Sequence, residues 1–71
     1  MAFDSKIIRA EGLVEEALPG LLFRVKLEDR RVLAHLAGRL KINRIKVIPG
    51  DRVIVEMAGL GEERGRIVRR L

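Results

Sequence analysis

Large aliphatic side chains recur at every second position along most of the chain. In residues 21–28, LLFRVKLE, Phe23, Val25 and Leu27 share one face while Leu22, Arg24 and Lys26 take the other. In residues 53–57, VIVEM, Val53, Val55 and Met57 oppose Ile54 and Glu56. A period of two marks a half-buried strand, because successive side chains leave opposite faces of a pleated backbone. Residues 7–17, IIRAEGLVEEA, predict a first strand, with Gly12 in its interior as the mark of a bulge or a sharp coil. RVLAHLA at 31–37 and RGRIVRR at 64–70 predict the third and fifth strands.

Turn chemistry separates these runs. LPG at 18–20 and EDRR at 28–31 close hairpins, and PGD at 49–51 suits a type II turn with Pro49 and Gly50 in its central positions. Between strands three and four the alternation fails. The basic residues are odd-numbered at Arg39 and Lys41 but even-numbered at Arg44 and Lys46, so the register slips near Asn43 and one continuous strand is excluded. Gly38–Ile42 fits one helical turn with Leu36 and Leu40 inward, followed by a short extended piece, RIKVI, at 44–48. Five strands with a short helical turn between the third and fourth is the plan of an all-β OB-fold, a Greek-key barrel; an SH3-like small barrel is the structural alternative.

Size narrows what such a barrel does. A chain of 71 residues is one domain, 1–71, with residues 1–5 expected as a flexible tail and only a small core to bury. There is no cysteine, hence no disulfide, thiol nucleophile or thiolate metal site. The longest apolar runs are a few residues, far below the roughly 20 that span a bilayer, and MAFDSK lacks the apolar core of a signal peptide. The expected setting is cytoplasmic, or the mature form of an organellar protein.

Charge changes the picture more. The formal net charge is +5, and residues 1–34 hold six basic and six acidic side chains, so the whole excess lies in the second half. Arg39, Lys41, Arg44 and Lys46 form one run without an acid; Arg64, Arg66, Arg69 and Arg70 form another. Two such runs in so short a chain point to a polyanionic partner, most naturally nucleic acid.

The stretches EGLVEEALPGLLFRVKLE, VLAHLAGRLKINRIKVIPGDRVIVE and RGRIV closely resemble bacterial and plastid translation initiation factor 1, over nearly the whole chain from about Lys6 to Arg70. Order, spacing and length all match that family. The resemblance implies an OB-fold that occupies the A site of the small ribosomal subunit, touching decoding-centre rRNA and a neighbouring ribosomal protein and cooperating with the other initiation factors. It leaves differences in place. The family usually has Asn-Gly and a following His where this chain has Asp29, Arg30 and Arg31, one residue shorter. It usually has Ser at Ala37, Tyr at Arg44, and a Pro-Tyr-Asp element in the loop that here reads AGLGEE, 58–63.

The residues themselves offer little for catalysis. His35 is the single histidine, placed to face outward from strand three, and without a Cys or second His nearby it neither builds a metal site nor completes a triad. Glu15 and Glu16, like Glu62 and Glu63, are sequence neighbours near turns and diverge rather than converge. No enzyme activity, cofactor, metal or small-molecule substrate is expected. Aromatic content then divides two modes of RNA binding. Single-strand binders stack bases on aromatic platforms, and this chain has only Phe23, on the apolar face of its strand, and Phe3. Binding must come instead from cations reaching phosphates of an already folded RNA. Arg39, Lys41, Arg44 and Lys46 are thus the expected rRNA-facing edge, with Arg64, Arg66, Arg69 and Arg70 as partners, in a monomer away from membranes. Two other readings stay open: a general RNA chaperone of cold-shock type, and a redesigned barrel that keeps the fold without the factor's activity.

Overall fold

The computed structural model of the chain describes residues 7–59 and 61–71; the expected tail at 1–5, with Phe3, lies outside them. The strands are β1 (Ile8–Leu18), β2 (Leu22–Lys26), β3 (Arg31–Leu36), β4 (Arg52–Met57) and β5 (Arg64–Arg70), and one short helix, α1 (Gly38–Ile42), stands between β3 and β4. They close in the order β1-β2-β3-β5-β4 and back to β1. All pairings are antiparallel except that of β3 with β5. This is the OB-fold barrel, and the helix sits where the register slip placed it.

Alternation becomes inside and outside. Val14, Phe23, Val25, Val32, Ala34, Val53, Val55 and Ile67 fill the interior, and Leu36, Leu40 and Val47 close the end of the barrel at α1. His35 faces outward and is exposed.

β1 serves two neighbours. It pairs with β4 from Ile8 to Leu13 and with β2 from Leu13 to Leu18. The expected bulge or coil at Gly12 resolves into separate features. The register shift in the β1–β2 ladder falls between Val14 and Glu16, whereas Gly12 stays in register with Val53. Gly12 is needed for close approach: a Cβ there would stand 2.5 Å from Val25 Cγ1 and 3.0 Å from the Lys26 carbonyl oxygen.

The turn at 48–51 forms as expected. Gly50 has φ +98°, and Asp51 N–H donates to the Ile48 carbonyl at 3.1 Å, the type II arrangement. It is tied to β1 by Gly50 N–H to the Val14 carbonyl, 2.8 Å, and Val14 N–H to the Asp51 carbonyl, 2.9 Å. The shortened hairpin at Asp29 and Arg30 is closed by Leu27 N–H donating to the Arg30 carbonyl at 2.7 Å.

Candidate nucleic-acid interface

α1 has a bare start and a well-made end. Ala37 at its N-cap offers no side-chain hydrogen bond. At the other end Arg44 N–H donates to the Lys41 carbonyl at 3.1 Å and Ile45 N–H to the Leu40 carbonyl at 3.0 Å, the paired bonds of a Schellman motif. That motif needs a left-handed residue, ordinarily glycine, and here it is Arg44 with φ +55°. Ile45 then packs on the core. The turn places Arg39, Lys41 and Arg44 outside the barrel, and the extended piece beyond it alternates exposed Lys46 and Ile48 with half-buried Ile45 and buried Val47. That piece joins no ladder.

β5 continues this surface. Arg64, Arg66, Arg69 and Arg70 are all exposed. Arg70 donates from Nη1 to the Lys46 carbonyl at 2.9 Å, which joins the end of β5 to the segment after α1. Arg64 stands at the opposite end of the strand, roughly 20 Å from Arg70 at about 3.3 Å per residue. The two acid-free runs therefore meet at Lys46 and Arg70 and diverge toward Arg64.

Ion pairing sorts the cations sharply. Arg9 pairs with Glu56 at 2.8 Å, Arg31 with Glu15 at 2.7 Å, Arg52 with Glu11 at 3.2 Å, and Arg24 with Glu16. Among the described residues no carboxylate pairs with Arg39, Lys41, Arg44, Lys46, Arg64, Arg69 or Arg70. Arg66 departs from its group. Its Nη2 donates to Glu56 Oε1 at 2.9 Å, while Glu56 Oε2 accepts from Arg9 Nε at 2.8 Å.

Glu56 is thus a hub on β4 between β1 and β5, with only 11% of its side chain exposed. The Arg66 hydrogen bond first, and then that from Arg9, hold its carboxyl below the usual carboxylate range. On the opposite side of the barrel, the Arg31 hydrogen bond does the same for Glu15. Sequence reasoning missed Glu56 and Arg9 because the two are 47 positions apart. The signal was a lone acid on the outward face of β4, in line with Ile54 and Arg52.

Three hollows border these cations. One, of about 300 Å³, is bounded by Arg9, Arg39, Arg66, Glu56 and Val68. A second, of about 420 Å³, brings His35, Arg64 and Arg66 together. The third, of about 600 Å³, has an apolar floor that includes Leu18, Leu36 and Leu40 and a rim of Lys41, Arg44 and Lys46. Among the described residues no three His, Asp or Glu side chains gather closely enough to hold a metal, and no helix is long and apolar enough to cross a membrane.

The comparisons agree with the barrel fold. The family described as translation initiation factor 1A / IF-1 matches residues 5–71. The solution structure of translation initiation factor 1 from the Wolbachia endosymbiont strain TRS of Brugia malayi is 40% identical with a TM-score of 0.75, over 92% of this chain and 78% of that one. The crystal structure of YjeQ from Thermotoga maritima is 26% identical with a TM-score of 0.71, over 90% of this chain but 23% of that much longer one.

Proposed function

The chain belongs to the translation initiation factor 1A / IF-1 family, and on that premise we propose that it docks at the A site of the small ribosomal subunit through phosphates of folded decoding-centre rRNA. The segregation of charge carries the reading. The outward arginines of β2 and β3, Arg24 and Arg31, are each neutralised within the protein by a carboxylate of β1, while the second-half runs, Arg66 excepted, have no carboxylate partner among the described residues. Unpaired guanidinium and ammonium groups gain most from phosphate, because no internal ion pair must break first. The chemistry is binding rather than catalysis, by a monomer without cofactor or small-molecule substrate, in the cytoplasm. A neighbouring ribosomal protein and the other initiation factors are its remaining partners. A cold-shock mode of single-strand capture finds no support in Phe23, which is buried at 5% exposure and offers no stacking platform.

The test is sedimentation with purified small subunits. Saturation at about one copy per subunit and displacement by A-site ligands are expected, with log affinity falling against log salt at a slope of about −4 or steeper for six phosphate contacts. Lys41→Glu and Lys26→Glu change net charge identically, but Lys26 lies close enough to Glu15 to act on its carboxyl. The first variant should lose far more affinity. Saturation at many copies, or equal losses for the two variants, would reduce the interaction to nonspecific basic adsorption.

A further inference from the structure

Three guanidinium groups from three separate elements border the smallest hollow: Arg9 of β1, Arg39 of α1 and Arg66 of β5. Two are held by one carboxylate. Glu56 Oε2 takes both Arg9 Nε and Arg9 Nη2 at 2.8 Å, and Glu56 Oε1 takes Arg66 Nη2 at 2.9 Å. Among the described residues this leaves the Nη1 group of each guanidinium without a protein partner and Arg39 without a carboxylate. The arrangement follows from register: Glu56 is paired with Arg9 on one side and with Arg66 on the other. On a curved barrel those three outward side chains form one row across adjoining strands.

We infer that this hollow is a phosphodiester-binding site in which Arg9 is a further contact residue and Glu56 a positioning residue. Three guanidiniums against one carboxylate leave the site doubly positive, and planar forks suit a phosphate oxygen pair. A free arginine on a surface loses rotamer freedom when it takes a phosphate. Glu56 has already ordered Arg9 and Arg66, so that loss is met on folding rather than on binding. The inference rests on the rRNA-docking reading given above and adds to it a residue of β1 and an acid. An acid within a polyanion site works against net electrostatics, and the sign of its effect is therefore diagnostic.

Purified small subunits are the probe, with melting curves on every variant. Glu56→Gln raises the net charge by one, and long-range attraction alone predicts tighter binding. Positioning predicts the reverse: Glu56→Gln should bind about tenfold more weakly, and Arg9→Ala equally so, the size expected when one well-aligned charge-assisted contact is lost. Arg31→Ala is the control, since it also removes one ion-paired arginine, on the opposite side of the barrel, and it should change affinity about twofold at most. Tighter or unchanged binding by a folded Glu56→Gln would overturn the inference. So would equal effects of Arg9→Ala and Arg31→Ala, a comparison that stands even if Glu56→Gln fails to fold. Failure of the wild type to bind subunits at one saturable site would instead remove the docking reading itself. Inorganic phosphate, titrated at constant ionic strength while the Arg9 and Arg66 side-chain resonances are followed, separates RNA from free phosphate as the source. Shifts that saturate far below the buffer salt concentration would overturn the assignment to RNA; their absence agrees with it.

Discussion

Arg44→Gly should make the protein more stable and a poorer binder at once. Arg44 occupies the left-handed position that ends α1, with φ +55°, where an L side chain costs about 1–2 kcal/mol. Glycine removes that cost but brings back about 0.5–1 kcal/mol of chain entropy in the unfolded state. The side chain is exposed and makes no hydrogen bond or ion pair among the described residues, so nothing else is lost. The net gain is about 0.5–1 kcal/mol, or about 3–6 °C in melting temperature for a domain of this size. Binding should move the other way. One lost phosphate contact weakens binding to small subunits and makes the salt slope shallower by about 0.7–0.9. Arg44→Ala separates the two effects, because it keeps the left-handed strain and loses the contact: binding falls and the melting temperature does not rise. The assays are thermal melts and equilibrium binding at two salt concentrations. If Arg44→Gly melts at or below the wild type, the strain argument fails; if it binds as the wild type does, Arg44 is not part of the interface.

Two further outcomes follow from packing and ion pairing. Gly65→Ala would set a Cβ 2.6 Å from Val55 Cγ1 and 2.8 Å from the Glu56 carbonyl oxygen of the paired strand, so thermal melts should show a loss of about 3 kcal/mol, near the top of the overpacking range. Gly38→Ala meets nothing within 4 Å and should gain about 0.5–1 kcal/mol in the same assay; similar melting of the two variants would contradict the packing described. Because Glu56 and Glu15 titrate below the usual carboxylate range when folded, the stability they add is complete above that range and disappears as pH falls through their lowered values. Urea midpoints followed from neutral to strongly acid pH should therefore decline less steeply in a Glu15→Gln, Glu56→Gln double variant, and parallel curves would dismiss both pairs as contributors.

The barrel was readable because its strands alternate and its one helix interrupts the alternation. Residues Phe23, Val25 and Leu27 declared their face by spacing alone, and all three are buried. Gly12 was readable as a special position but not as to its reason, since the side chains that crowd it belong to β2 and the turn that follows. The candidate surface was legible as charge and illegible as pairing. Arg66 looks like its neighbours in RGRIVRR, and only the β4–β5 register shows that Glu56 holds it. Arg9 sits in a stretch whose charges balance, and its place beside Arg39 depends on β1 coiling past β4. Spacing along a chain reports local geometry; which strands adjoin is decided by closure.

Closure also has a consequence in time. β1, β2 and β3 are linked by successive short hairpins, and β4 and β5 adjoin in sequence, so each group can zip up from local contacts. The seams β1–β4 and β3–β5 join residues far apart in the chain: Ile8 meets Met57, and Leu36 meets Ile67. Such distant pairings carry the loop-closure entropy and set the folding rate of small barrels. Arg9 and Glu56 face each other across the first seam, and Arg66 lies at the second beside His35. The first seam brings Arg9 to Glu56, and the second brings α1, with Arg39, beside β5, so the phosphate site proposed above is complete only when both have shut.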